Sequence, residues 1–394
     1  MYFLPIEAKI DVLKFLDFNQ LFSVRLINWH FNSLVEQYEL DFARKKQSLI
    51  YFAKLTERDY ELYKCKEEIL EEDVKEEKIG LLKRIWNKCW KKGEDKNIGK
   101  VMKRCTCDWR FISNEELEPF NFPISSQLFN KWQTAIDQQI PTYLDIGEHP
   151  LDEDIAIILI PDYHVRQQLA LKLPVFPKNI EEIKIILCWF YRLFQCYFGS
   201  ITYNNFMFNP EMVKLLFDDD NYLKLSSCVV RFSYWYLYDK PKINALKFIA
   251  DYQIVNESLT LHYDPLCEDF KQYSEYLFKI LINGGFRRAD VFNRSLKDEM
   301  LFYWIINHIE TSADLTKMVA NVLLLFGGWS DLKLSERAEK FKELGETYIS
   351  YGLSNIHNPK MKYDIFIHKR NIGKVDSVII KKMWGDNVDY EITF

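Results

Sequence analysis

The chain has 394 residues, 48% hydrophobic and 28% charged, with a net charge of −5 and a pI of about 5.9. That composition excludes a disordered or collagen-like polymer, and the missing basic excess excludes a nucleic-acid footprint at the whole-chain level. At about 150 residues per domain the length predicts two or three domains, and 16% aromatic residues predict a heavily ring-packed interior.

The first element opens at Leu4-Pro5. Proline at the first helical position fixes φ and gives up only an N–H that would be unpaired there anyway. Glu7 follows in the first turn, the sign the helix dipole favours. Ile6, Ile10 and Leu13 recur at helical spacing, and Phe15 and Leu16 extend the stripe. Asn19 is placed to cap a second short helix bearing Leu21, Val24 and Ile27. A third carries Phe31, Val35, Tyr38 and Phe42 and ends in Arg44, Lys45 and Lys46. Three helices in about 45 residues are marginal alone. They hold more apolar positions than so small a core can hide, and the surplus predicts a surface for a second polypeptide.

This order of residues resembles the F-box. That family usually has an acid where Asn19 stands and Trp where Phe31 stands, Trp29 lying two positions earlier. The resemblance implies that Leu4, Pro5, Glu7, Ile10, Leu13, Leu16, Leu21, Val24, Ile27 and Phe31 bind a Skp-type adaptor, and through it a cullin.

Residues 57–104 change character. An acidic run from Glu67 to Glu77 precedes a basic one from Lys83 to Arg104. A solvated helical hairpin with mutually neutralising arms is preferred over a basic arm for nucleic acid, anionic lipid or nuclear import, because the acidic arm competes for the same lysines. Gly93 to Lys100 has the wrong spacing for a phosphate loop, and Val101 stands where a Mg²⁺-binding hydroxyl belongs. Cys89, Cys105 and Cys107 lack the second close pair of a structural zinc site. With no basic n-region or hydrophobic core at the start, the eight cysteines are expected to be reduced thiols of a cytoplasmic or nuclear chain. No stretch is long and uncharged enough to span a membrane: 183–198, the greasiest, contains Lys184 and Arg192.

Further on, Lys131-Trp132 lies in a short amphipathic piece, 155–160 reads as a buried strand, and 180–198 as the longest helix, started by Pro177 and Asn179. Strand starts near Ile201, Cys228, Glu257, Arg288 and Met318 are followed by helical stretches at 210–217, 243–252, 273–283, 298–310 and 335–344. The spacing of about 26 to 31 residues suits strand–helix repeats stacked side by side. Strands at 363–368, 375–380 and 388–393, separated by glycine-bearing turns, predict an antiparallel closing piece.

The body also resembles the expanded F-box families of plant-parasitic nematodes. The matching stretches include Lys131-Trp132, Pro177-Lys178-Asn179-Ile180-Glu181-Glu182, Phe208-Asn209-Pro210-Glu211-Met212, Leu334-Ser335-Glu336-Arg337-Ala338 and Ile356-His357-Asn358-Pro359. The expected fold is thus α+β: an N-terminal three-helix F-box domain (1–48), a charged helical insertion and linker (49–130), and irregular leucine-rich-repeat-like strand–helix repeats with a small C-terminal antiparallel β piece (131–394). No motif of a nucleophile, metal ligand set or phosphate loop is present, and Asp218-Asp219-Asp220 lacks calcium-loop spacing. We therefore expect no enzyme, no cofactor and no metal. The expected function is target recognition in a ubiquitin ligase of the SCF type, with an unknown protein substrate and no nucleic acid or membrane partner. The alternatives are an F-box scaffold outside a ligase, or RNA or anionic-lipid binding through 81–104. Trp235, Tyr236 and Tyr238 are candidate anchors for the target, against a core role for each.

Overall fold

The computed structural model describes residues 5–16, 45–55, 108–111, 125–146, 154–160, 167–217, 228–237, 243–263, 270–293, 299–330, 332–345, 347–371 and 374–383, with 151 and single positions between 20 and 35. The expected insertion at 57–104, Asp218-Asp219-Asp220 and the strand at 388–393 lie outside them, and so do Leu4, Asn19, Ile27 and Tyr238.

From the N-terminus the described elements are α1 (Ile6–Lys14), β1 (Lys45–Lys54), β2 (Asp108–Phe111), α2 (Ser126–Asp137), β3 (Tyr143–Asp145), β4 (Ile155–Ile160), β5 (Gln167–Lys172), α3 (Ile180–Phe194), β6 (Cys196–Tyr203), β7 (Phe206–Phe208), α4 (Pro210–Leu216), β8 (Cys228–Leu237), α5 (Ile243–Tyr252), β9 (Gln253–Tyr263), α6 (Phe270–Asn283), β10 (Arg288–Asn293), α7 (Met300–Thr311), β11 (Asn321–Ser330), β12 (Glu339–Leu344), β13 (Tyr348–Ser354), β14 (Lys362–Asn371) and β15 (Lys374–Lys382). One sheet takes thirteen strands in the order β12-β13-β14-β15-β11-β10-β9-β8-β6-β1-β4-β5-β2, while β3 and β7 pair separately.

The middle of the sheet is parallel: β1, β6, β8, β9, β10 and β11 run the same way. From β6 to β11 the order in space follows the order in the chain, and α4, α5, α6 and α7 each carry the chain from one strand to the next. Parallel neighbours need such a crossover, since a tight turn cannot return the chain to the same end. Antiparallel flanks close both sides: β15, β14, β13 and β12 beyond β11, and β4 and β5 beyond β1.

Three expectations are corrected. Lys45 and Lys46, expected to end a helix, open β1, which is hydrogen-bonded to both β4 and β6; β1 therefore crosses the boundary drawn at 48, and β2 of the same sheet lies within the expected linker. The helix expected at 180–198 ends at Phe194, and Cys196 starts a strand of alternating burial. The stretch 335–344, rich in helix formers, is instead a turn followed by β12. Pairing with β13 overrides local propensity there. The charged side chains of β12 suit an exposed sheet edge, where lysines discourage pairing with other chains.

Period-two alternation sorts the side chains. On β8, Cys228, Val230, Ser233, Trp235 and Leu237 are buried, while Val229, Phe232, Tyr234 and Tyr236 are half-buried. The apolar members of the buried set join one large core shared with the helices, in which Trp235 stacks on Tyr203 at 3.8 Å, Phe52 and Phe248 flank Tyr203, and Phe208 meets both of those rings. Helix α3 is locked at its start by a reciprocal cap: Glu182 N donates to Asn179 Oδ1 at 2.9 Å, and Glu182 Oε2 accepts from Lys178 N at 2.7 Å. At the other end, Asn355 ties the turn after β13 to α7. Its Nδ2 donates to Ile309 O and Ser312 O, and its Oδ1 accepts from His357 N and Asn358 N.

Two consequences are testable. A Cβ on Gly199 of β6 would lie 2.7 Å from Ser48 O, a backbone atom of the central strand β1 that cannot swing away. Gly199→Ala should therefore destabilise the protein by about 1–3 kcal/mol, read as a lower urea midpoint. His308, packed edge-on against Phe278, has its pKa pushed below the ordinary 6.5 by burial. The unfolded chain then binds more protons than the native one as pH falls below about 6.5, so native stability declines with acid through that window. In His308→Phe the fall in midpoint between pH 7 and 5 should be shallower than in the parent; an identical slope would remove His308 from the account.

Candidate docking surfaces

Helix α1 has two apolar faces. The inner one builds a small core separate from that of the sheet: Leu13, Leu21, Phe31, Leu34 and Val35 are buried together, with Ile10, Leu16 and Val24 packed against them. Gln20, Leu21, Val24, His30, Phe31, Leu34 and Val35 all have helical backbone. Lys9 is also buried, and its Nζ donates to His30 Nε2 at 3.3 Å. The His30 ring in turn meets Phe31 edge-on at 5.6 Å. Pro5 is the N-cap rather than the first helical residue, and its carbonyl accepts from Lys9 N at 3.1 Å.

The outer face is made by Pro5, Ala8, Val12 and Phe15, spaced by three, four and three residues and so aligned on one side of the helix. Val12 is 40% exposed and Phe15 90%. Ile6, 41% exposed, extends the apolar surface at the helix start. Burying a Phe side chain is worth about 1.5–3 kcal/mol, so leaving one in water forgoes a contact that a second chain can supply.

On the sheet, the face that holds Tyr234 and Tyr236 continues from strand to strand. Register puts Tyr236 beside His262 and His262 beside Phe292, and the rings stack at 4.9 Å and 4.3 Å, nearly parallel. Two residues towards the strand starts lie Tyr234, Thr260 and Asp290, and then Phe232, Ser258 and Arg288. Arg288 Nε donates to both Asp290 oxygens, at 2.9 and 3.0 Å. The result is a half-buried surface of rings and hydroxyls whose ion pair is already closed.

Residues 2–42 match the F-box domain. The F-box match covers α1 and every described helical position up to Val35. A second family, described only as a domain of unknown function (DUF8381), matches residues 113–264, from before α2 through β9. No curated protein and no solved structure gives a match. F-box domains in general bind a Skp-type adaptor of SCF-type ligases, and F-box proteins are typically non-catalytic.

Within the F-box, the structure divides the expected contact residues. Leu13, Leu21 and Phe31 form its interior, Ile10, Leu16 and Val24 line the interior's margin, and Pro5 and Glu7 are exposed. Sequence reading counted Phe15 into the inner stripe, and it passed over Val12. The signal was present as a second set of apolar residues, at 5, 8, 12 and 15, interleaved with the first. Among the described residues no group of three or more His, Cys, Asp or Glu could hold a metal ion, and no helix is long and apolar enough to cross a membrane.

Proposed function

We propose that this chain is the target-recognition subunit of an SCF-type ubiquitin ligase. Its F-box docks on a Skp-type adaptor, the adaptor joins a cullin, and the sheet body holds a protein target. Ubiquitin transfer then belongs to other subunits, and this chain contributes proximity alone. The observation that carries the reading is the second apolar face of α1, with Phe15 at 90% exposure inside an F-box match. On this reading Leu4, Pro5, Glu7, Val12, Phe15 and Ile27 meet the adaptor. Ile10, Leu16 and Val24 support the contact from its margin, and Leu13, Leu21 and Phe31 hold the helices that present it. The half-buried rings of Phe232, Tyr234, Tyr236 and Phe292 are the proposed target anchors, since aromatics dominate such contacts. The motif stretches shared with nematode F-box families support kinship there, and a cytoplasmic or nuclear place of action follows from the ligase role.

Affinity purification of the tagged full chain from its own cells tests this. Recovery of the Skp adaptor together with a cullin is expected. The adaptor without a cullin would indicate a scaffold working outside a ligase, and neither would end the proposal.

A further inference from the structure

The whole chain carries a net charge of −5, yet residues 332–383, the antiparallel flank from before β12 through β15, hold eleven Lys and Arg against six Asp and Glu. On the β12–β15 part of this flank the charge converges on one place. Asp364 of β14 stands opposite Lys381 of β15 on one side and Gly352 of β13 on the other. Gly352 puts no side chain between Asp364 and β12, and a Cβ there would sit 3.6 Å from Glu339 O and 3.9 Å from Asp364 Oδ1. Across that gap β12 is bulged between Glu339 and Lys342, and Lys340 holds a positive φ of 53°. A non-glycine residue in the left-handed region costs roughly 1–3 kcal/mol and persists only where its surroundings enforce it. The bulge supplies Lys340 and Lys342, both exposed, to the side of the sheet that already carries Lys381. Phe366 and the Tyr348–His368 ring pair, 4.7 Å apart, lie next along the same strands, half-buried, and Phe341 is 48% exposed.

We propose that this corner, with Lys340, Lys342 and Lys381 gathered beside Phe366, Tyr348 and His368, docks an acidic polypeptide segment carrying an apolar side chain. Asp376, 3.9 Å from His368 Nδ1, joins Asp364 and Glu339 as a third local carboxylate, so the positive excess comes from the flank around the corner, with its eleven Lys and Arg against six Asp and Glu. Burial raises the Asp364 pKa, and all three lysines oppose that rise without cancelling it. The half-buried carboxylate therefore absorbs part of the positive field and leaves the rest for a visitor. A polypeptide fits better than a polynucleotide. The ring faces of Tyr348 and His368 meet each other rather than standing open for bases. The inference does not depend on the ligase reading, because α1 plays no part in it.

The test is fluorescence anisotropy with the full chain and a labelled synthetic peptide of glutamates around a single phenylalanine. Wild type should bind it, more weakly as salt is raised. The variant Lys340→Gln/Lys342→Gln/Lys381→Gln should lose at least tenfold in affinity and most of the salt dependence. Circular dichroism should show it folded, and it should still capture the Skp adaptor. A matched variant at exposed helix lysines, Lys271→Gln/Lys279→Gln, should bind like wild type. The proposal is overturned if the peptide does not bind in a salt-dependent way, if the triple variant binds as well as wild type, or if a single-stranded RNA of equal charge binds more tightly than the peptide. Loss of adaptor capture with intact peptide binding would count against the F-box reading and leave this one standing.

Discussion

Phe15→Asp is expected to reduce affinity for the Skp adaptor at least a hundredfold while changing folding stability by less than about 0.5 kcal/mol. Phe15 is 90% exposed and touches little of its own chain, so the new carboxylate stays in water when the protein is alone. Only in the complex would that charge have to enter an apolar contact, and that is where the cost falls. Leu13→Asp should behave differently. Leu13 is fully buried, packed with Leu21, Phe31, Leu34 and Val35 among the described residues, and a carboxylate there meets the desolvation penalty in the folded state itself. Adaptor binding should disappear because the F-box unfolds, with a loss of more than about 4 kcal/mol. Titration calorimetry against the adaptor and thermal melts of the same two preparations distinguish the cases. Wild-type affinity in Phe15→Asp would remove the outer face of α1 from the interface.

The difference between those two residues shows what the sequence made legible and what it did not. Helical spacing identified α1 and its inner stripe, because Ile10, Leu13 and Leu16 recur on one side of a helix. It could not tell which apolar residue faced its own chain and which faced outward, since Phe15 and Leu16 differ by one position and are equally greasy. In the body, spacing located β8 to β11 and the helices between them within a few residues, because strand and helix periods alternate there without interruption. It failed where chemistry and context disagree. Residues 339–344 have the composition of a helix surface, yet they are an edge strand, fixed by bonds to β13 that no local pattern encodes. Lys45 and Lys46 looked like the basic end of a helix, and became the start of the strand that links the N-terminal region to the sheet, through pairing with residues more than a hundred positions away. The basic corner at Asp364 leaves no local pattern for the same reason, because Lys340 and Lys381 are brought together by register alone.

Adjacent residues on β8 offer the sharpest separation of fold from recognition. Trp235 and Tyr236 were both candidate anchors, and strand geometry sends neighbouring side chains to opposite faces. Trp235 is fully buried, stacked on Tyr203 at 3.8 Å, and its Nε1 donates to Ser233 Oγ at 2.8 Å. Trp235→Ala removes that stack, leaves a large cavity beside Phe248, and takes one of two hydrogen bonds from the Ser233 hydroxyl, which still donates to Gln253 Oε1. A loss of about 3–5 kcal/mol is expected, enough to unfold much of a marginally stable population at 37 °C. Tyr236 is half-buried on the other face, stacked on His262. Tyr236→Ala gives up one cross-strand ring contact, worth about 0.5–1.5 kcal/mol, while the ring row loses its β8 end. Denaturant midpoints should therefore fall far more for Trp235→Ala than for Tyr236→Ala, and stabilisation of the target in cells, with the protein still abundant, should appear only for Tyr236→Ala. Equal midpoints would mean that the two faces of β8 share the burden of folding, and the ring row could no longer be assigned to recognition.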